Sequence, residues 1–351
     1  MPARAATLRT RSTGFTLIEL MVGMALGLLS VIIITQVMSL FEAQRRTTTG
    51  SADAQTNGGI ALFSIARDLQ LAGFGLPPSS ASGLECTTLT SSIAGVTSLA
   101  PISASDGVAG ANPASDTITL RYASSQTGGA NSQITSMSGN DATVGSTVGC
   151  NVNDATLIVS GASCAVSTAT AVAPTSVTLA NTALASAGAN LSCLGSWTEV
   201  TYAVDFTTGN LNRTTIVNGV TTTTPSVVGV VNLQLQYGIS ATANSNQVTA
   251  WVDPAGATWA APTVADRNRI KAVRIAVIAR NDRLEPSAVT QFCNAIDNTP
   301  ITGLCAWQGT AASHAPSVDL SVGNANWNRY RYRVFETIIP VRNVIWAKDT
   351  F

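Results

Sequence analysis

The chain has 351 residues, of which 11% are charged, and its formal net charge is zero. Soluble proteins carry roughly 25% charge; here Ser, Thr, Ala, Gly and Asn take that place. No basic block is present to grip nucleic acid by counterion release, and no acidic tail either.

The first 14 residues hold Arg4, Arg9 and Arg11 and no acid. From Leu20 to Phe41 there are 22 residues without a charge. As a helix this run measures roughly 33 Å, enough to cross a bilayer core. One acid, Glu19, sits at its entry. An ionised side chain in lipid costs at least about 2.5–3.5 kcal/mol, so a partner is expected. Nothing basic on the helix is within reach. The nearest available cation is the amine that a cut after Gly14 would create.

Gly14-Phe15-Thr16-Leu17-Ile18-Glu19 resembles the class III signal of type IV pilins and pseudopilins. The resemblance implies that a prepilin peptidase cuts after Gly14, that Phe15 becomes an N-methylated terminus, and that Glu19 pairs with a neighbouring subunit's amine during assembly. An ordinary signal peptide would need small residues after the apolar run, and Phe41-Glu42-Ala43-Gln44 is a poor fit. A plain anchor leaves Glu19 unexplained. The basic leader places the N-terminus in the cytoplasm and the rest of the chain in the periplasm. Removal of the leader's three arginines gives a net charge of about −3.

The helix is expected to continue to about Ala72, with a weak point and a bend at Gly58-Gly59. Leu62, Ile65, Ala66 and Leu69 recur at helical spacing, with Arg67 and Asp68 turned away. Gly73 is the stop, and Pro77-Pro78 forbids continuation. Gly23 and Gly27 form a G-x-x-x-G pattern, read equally as helix packing and as simple tolerance.

Residues 76–115 read as a long loop region. Ile118, Leu120 and Tyr122 alternate with polar residues, as in a half-buried strand. Residues 123–155 read as irregular loop or short edge strands, followed by short strands at 156–160 and 175–180. The segment 198–239 predicts an antiparallel meander, with a turn at 207–210 and a two-residue hairpin at Asn218-Gly219. The apolar segment 270–280 is placed on a central strand. Arg329, Arg331 and Arg333 alternate with Tyr330 and Tyr332, which on a strand puts three guanidiniums on one face. Two readings stand: pairing with acids of the head or a neighbour, which is favoured, or contact with a polyanion such as DNA. Trp251, Trp259 and Trp327 mark either a partner surface or the core.

All six cysteines, Cys86, Cys150, Cys164, Cys193, Cys293 and Cys305, follow the apolar run. This suggests an oxidising compartment and disulfides. Six cysteines allow 15 pairings; Cys293–Cys305 and Cys150–Cys164 are closest in sequence. No catalytic or metal motif is found. The single histidine, His314, reads as a solvated loop residue. Asn151, Asn153 and Asp154, and Asp297 and Asn298, read as turn residues rather than calcium ligands. No cofactor is expected, and the enzyme reading is rejected.

Arg331-Tyr332-Arg333-Val334-Phe335-Glu336-Thr337-Ile338-Ile339-Pro340-Val341-Arg342-Asn343 and Val231-Asn232-Leu233-Gln234-Leu235-Gln236-Tyr237-Gly238 resemble the PilW-type minor pilins. The expectation is an α+β chain: a leader at 1–14, a helix over 15–72 that spans the membrane at about 17–41, and a large antiparallel β-sheet head at 73–351. The resemblance implies a subunit that starts or caps a type IV pilus. Its partners would be the prepilin peptidase, other minor pilins, the major pilin, the inner-membrane assembly platform and inner-membrane lipid. A minor pseudopilin of type II secretion and a pilin-anchored adhesin are the alternatives.

Overall fold

The computed structural model describes residues 14–77, 86–107, 114–125, 127, 130–290, 303–307, 315 and 317–343. The chain divides into two units, 1–49 and 50–351. Helix α1, Leu17–Leu71, contributes to both.

In the first unit every described residue from Gly14 to Glu42 is exposed. Its polar side chains turn back onto the helix. Ser30 Oγ donates to Leu26 O at 2.8 Å, and Thr35 Oγ1 to Ile32 O at 2.9 Å. A helix that satisfies its own polar groups suits an apolar medium.

In the second unit the head strands are β1 Thr88–Ser91, β2 Ile102–Ser105, β3 Thr117–Ala123, β4 Asn131–Ser138, β5 Asp141–Val144 and β6 Ala155–Ser160. Next come β7 Ser163–Ala173, β8 Ser176–Leu179, β9 Asn190–Gly195, β10 Trp197–Asp205, β11 Asn210–Val217 and β12 Val220–Val228. The last are β13 Val230–Ser240, β14 Val248–Val252, β15 Ile270–Arg280, β16 Gly303–Cys305, β17 Ser317–Asp319 and β18 Tyr332–Pro340. They form a seven-stranded sheet (β1-β7-β6-β9-β4-β5-β8), a five-stranded sheet (β12-β11-β10-β3-β2), a four-stranded sheet (β14-β13-β15-β18) and a β16–β17 ribbon. The head is therefore built of several sheets rather than one. All pairings are antiparallel except β1–β7, which is parallel.

The C-terminal half of α1 buries Ala54, Gly58, Ala61, Ile65, Leu69 and Ala72, at intervals of three and four residues. Ala61, Ile65, Leu69 and Ala72 join Ile118 and Leu120 of β3, Val200 of β10, Leu233 and Leu235 of β13, and Val273 and Ile275 of β15 in one core. Full burial of an Ile or Leu is worth roughly 1.5–3 kcal/mol. The helix runs unbroken through Gly58-Gly59, so the weak point does not end it. Gly58 is there for space instead. A Cβ on it would lie 2.2 Å from the Phe335 ring and 3.1 Å from the Ala279 Cβ. Asp68 is also not turned away: it reaches the β10–β11 hairpin, as described below.

β15 is covered on both faces. Val273, Ile275 and Val277 face the α1 core. Ile278 packs with Val318, Leu320 and Trp327, and Ala276 with Ala306 and Trp307. This explains its nearly continuous apolar sequence. The central position, the meander and the Asn218-Gly219 turn (φ 45° and 89°) agree with the expectations from sequence.

The five- and four-stranded sheets are pinned together by Asp116. Its Oδ2 accepts from Leu235 N at 2.7 Å and its Oδ1 from Gly107 N at 2.9 Å. Tyr237 Oη accepts from Ala104 N at 2.6 Å beside it. Burial pushes the Asp116 carboxyl up to about 8, against the two backbone donors that pull it down.

In the seven-stranded sheet, β6 and β8 lie where short strands are expected at 156–160 and 175–180, and β4 and β5 are the short strands read as one alternative for 123–155. β1, β7 and β9 are not expected from sequence, and neither is β2 of the five-stranded sheet, which with β1 lies in the segment read as a loop. The seven-stranded sheet has a core on each face. Leu157, Val159, Cys164 and Val166 pack with Trp197 on one. Ile158, Ala165 and Leu191 pack with Ile134 and Leu179 on the other. This alternation decides the disulfides, which are Cys86–Cys164 and Cys150–Cys193. The nearest-neighbour pair Cys150–Cys164 is excluded because the two lie on opposite faces. Cys305 is disulfide-bonded, and Cys293 lies outside the described residues.

Candidate functional site

Thr16 caps α1. Its hydroxyl accepts from Glu19 N at 3.3 Å, and Glu19 Oε2 accepts from Thr16 N at 2.9 Å and from Thr16 Oγ1 at 2.8 Å. This is a capping box, with Thr16 at the N-cap and Glu19 three residues on. Glu19 therefore has a local role as well as any intermolecular one. The T-x-x-E spacing was available as a signal in the sequence. Phe15 is 89% exposed. Gly14, Gly23 and Gly27 have nothing within 4 Å of an added Cβ, so the G-x-x-x-G face is open.

The helix is tied to the head at three points within the second unit. Asp68 Oδ2 accepts from Tyr202 Oη at 2.8 Å and from Arg213 Nε at 2.9 Å. Burial and the neighbouring Asp68 push the Tyr202 phenol up. Arg333 Nη2 donates to Ser51 Oγ at 2.9 Å. Asn343 Nδ2 donates to Gln70 O and Ala72 O, both at 3.1 Å. Asn343 thus closes the helix C-terminus, where Gly73 takes φ +81° and last-turn carbonyls need outside donors.

The three alternating arginines do not share a strand face. Residues Trp327–Arg329 form a short 3-10 turn, and β18 begins only at Tyr332. Arg329 Nε donates to Glu285 O at 2.7 Å and Arg331 Nε to Glu285 Oε1 at 2.8 Å. Only Arg331 pairs with an acid as the favoured reading expects; Arg329 donates to a backbone carbonyl and Arg333 to a serine hydroxyl. Trp327 is buried. Trp251 and Trp259 are half-buried, stacked against Arg274 at 4.6 Å and Arg269 at 5.5 Å.

Arg121 and Glu199, directly paired across β3 and β10, make a buried ion pair at 2.6 Å. Asp154 Oδ2 accepts from Asn151 N at 2.7 Å, and Asn153 takes φ 72°, as turn residues do. His314, Asp297 and Asn298 lie outside the described residues. Among the described residues no group of three His, Cys, Asp or Glu side chains could hold a metal ion.

Comparison with known families gives two matches. Residues 9–35 match the prokaryotic N-terminal methylation motif, and residues 200–343 match the type IV pilus-assembly protein W family. The chain is thus similar to the type IV pilus-assembly protein W family over the second half of its head, and carries the N-terminal methylation motif at its start. No curated protein and no solved structure gives a significant match.

The PilW match runs from Val200 in β10 to Asn343. It takes in the meander from β11 to β13, β15 and β18, and the residue that closes α1. The seven-stranded sheet with its two disulfides lies wholly before it. PilW proteins are structural pilins, not an enzyme family. The methylation motif implies processing by a prepilin peptidase and a pilus assembly context. The apolar helix that carries it is long enough to cross a membrane and fits an inner-membrane pilin.

Proposed function

We propose that this protein is a minor pilin of the PilW type that helps to start a type IV pilus or to form its tip. In this reading residues 1–14 are a leader cut after Gly14, and Phe15 becomes the N-methylated terminus. The subunit waits in the inner membrane with its head in the periplasm. It then moves through the assembly platform into contact with other minor pilins and the major pilin. Glu19 neutralises a neighbour's terminal amine.

The observation that carries the proposal is the pairing of two features in one chain. The methylation motif sits on a wholly exposed apolar helix, and the PilW match covers the sheet packed on that helix's other half. The PilW match supports a pilus over a type II secretion pseudopilin.

The test is a Glu19→Ala variant expressed from the native locus. It should be cleaved normally but fail to co-purify with the other minor pilins. Normal recovery of the partners would refute the role of Glu19. A bulky residue at Gly14 should leave an uncut precursor, checked by mass spectrometry of the N-terminus.

A further inference from the structure

One arginine at the β15–β18 end of the head differs from its neighbours. Arg329 and Arg331 are engaged by Glu285, and Arg333 by Ser51. Arg280, the last residue of β15, is held differently: its side chain hydrogen-bonds to Tyr332, its Nε is buried without a partner among the described residues, and its guanidinium lies 4.3 Å from the Tyr330 ring centre.

Arg280 opens onto a cavity of about 260 Å³ lined also by Phe206, Leu320, Asn324, Tyr330 and Tyr332. No acid is among the described lining residues. Tyr332 is the cross-strand partner of Arg280. Burial pushes its phenol up, while Arg280 beside it pulls the other way.

A guanidinium held over an aromatic ring at 4.3 Å is restrained in position, which leaves less side-chain freedom to lose when its terminal donors bind a ligand. A buried donor left unmade costs roughly 1–3 kcal/mol. An anion in the cavity would meet the terminal edge of the same guanidinium through a short charge-assisted bond. A single cation matches a monoanion better than a dianionic phosphate. The volume lies below the roughly 300–1,000 Å³ of drug-sized sites, so the occupant is one compact group.

We propose that this cavity binds a carboxylate carried on a planar apolar body, with Arg280 holding the carboxylate and Phe206, Leu320 and the tyrosines enclosing the rest. Such a group is found on a small aromatic acid and at the C-terminus of a protein ending in an aromatic residue. The proposal does not depend on the pilus reading.

The test uses the full cleaved chain in detergent micelles, titrated with four probes: benzoate, benzamide, acetyl-Gly-Phe as the free acid, and the same peptide amidated. Calorimetry and the amide shifts of Gly323 and Asn324 report binding. Saturable binding of benzoate but not benzamide supports the site. Tighter binding of the peptide acid than of benzoate assigns it to a protein C-terminus; the reverse order assigns it to a free acid. Arg280→Gln should lose at least about tenfold in affinity, equivalent to 1.4 kcal/mol. Val322→Trp, which fills the cavity and leaves Arg280 in place, should also abolish binding. Equal affinity for benzoate and benzamide, no saturation by either acid, or unchanged binding by a folded Arg280→Gln chain overturns the proposal. If Arg280→Gln does not fold, retained binding by Val322→Trp overturns it.

Discussion

Glu19 Oε2 accepts two hydrogen bonds from one residue, Thr16, through its backbone N–H at 2.9 Å and its hydroxyl at 2.8 Å. Oε1 has no partner among the described residues. The carboxylate is thus oriented by its own helix, which leaves one oxygen for the proposed contact with a second chain. Thr16→Val removes the hydroxyl and should cost about 1 kcal/mol at the helix start; Thr16→Ser should not. Amide exchange of Leu17–Leu20 in micelles should accelerate in the first variant only.

Gly58 and Gly59 are adjacent yet face different surroundings. A Cβ at Gly58 would meet the Phe335 ring at 2.2 Å, whereas one at Gly59 meets nothing within 4 Å. Gly58→Ala should destabilise the head by about 1–3 kcal/mol through overpacking. Gly59→Ala should be neutral or stabilise by up to about 1 kcal/mol. Urea midpoints of the two variants check the difference, and Phe335→Leu should partly rescue the first.

Asp68 joins the helix to Tyr202 and Arg213. Asp68→Ala leaves both donors without their acceptor and should cost on the order of 1–3 kcal/mol. Arg213 keeps 30% of its side-chain surface in solvent, so screening places the loss at the low end. A double-mutant cycle with Arg213→Ala should show coupling of about 1 kcal/mol or less.

Asp116 makes stability depend on pH. Its carboxyl is raised from 3.8 to about 8 in the folded chain. Between those values the fold retains a proton that the unfolded chain has released, so stability falls as pH rises across the window. Below it, both states are protonated and the contribution is complete. Thermal midpoints of the wild type should drop from pH 4 to pH 8 by more than those of Asp116→Asn, which lacks this titration.

The disulfide Cys86–Cys164 closes a separation of 78 residues, and a loop of that length is worth about 4.5 kcal/mol in the chain-entropy account. A Cys86→Ala/Cys164→Ala chain should lose roughly 2–5 kcal/mol, read as a lowered unfolding midpoint. Mapping of the intact protein should recover Cys150–Cys193 and no Cys150–Cys164 peptide.

What could be read from the sequence was set by contrast between neighbours. β10 to β13 alternate large apolar and polar side chains, and Asn218-Gly219 marks its own turn. β15 is apolar throughout because both its faces are covered. β7 and β9 offer no such contrast: Ser167 and Ser192 are buried beside small and apolar neighbours, so inside and outside look alike. The cysteine pairing was hidden for the same reason, since it depends on which sheet face each thiol occupies. Arg280 was invisible because its cavity is closed by residues from four distant segments. The capping box is written in the T-x-x-E spacing of Thr16 and Glu19, a signal the intermolecular reading of Glu19 does not use.

Asn343 closes a helix whose last carbonyls lie 271 and 273 positions earlier. The ribosome delivers that amide long after α1 has been made. Until it arrives, Gln70 and Ala72 keep their carbonyls open to water and the joint between helix and head stays unlatched. A polypeptide broken off short of this asparagine would present a frayed stem, which gives proteases a way to tell finished subunits from unfinished ones.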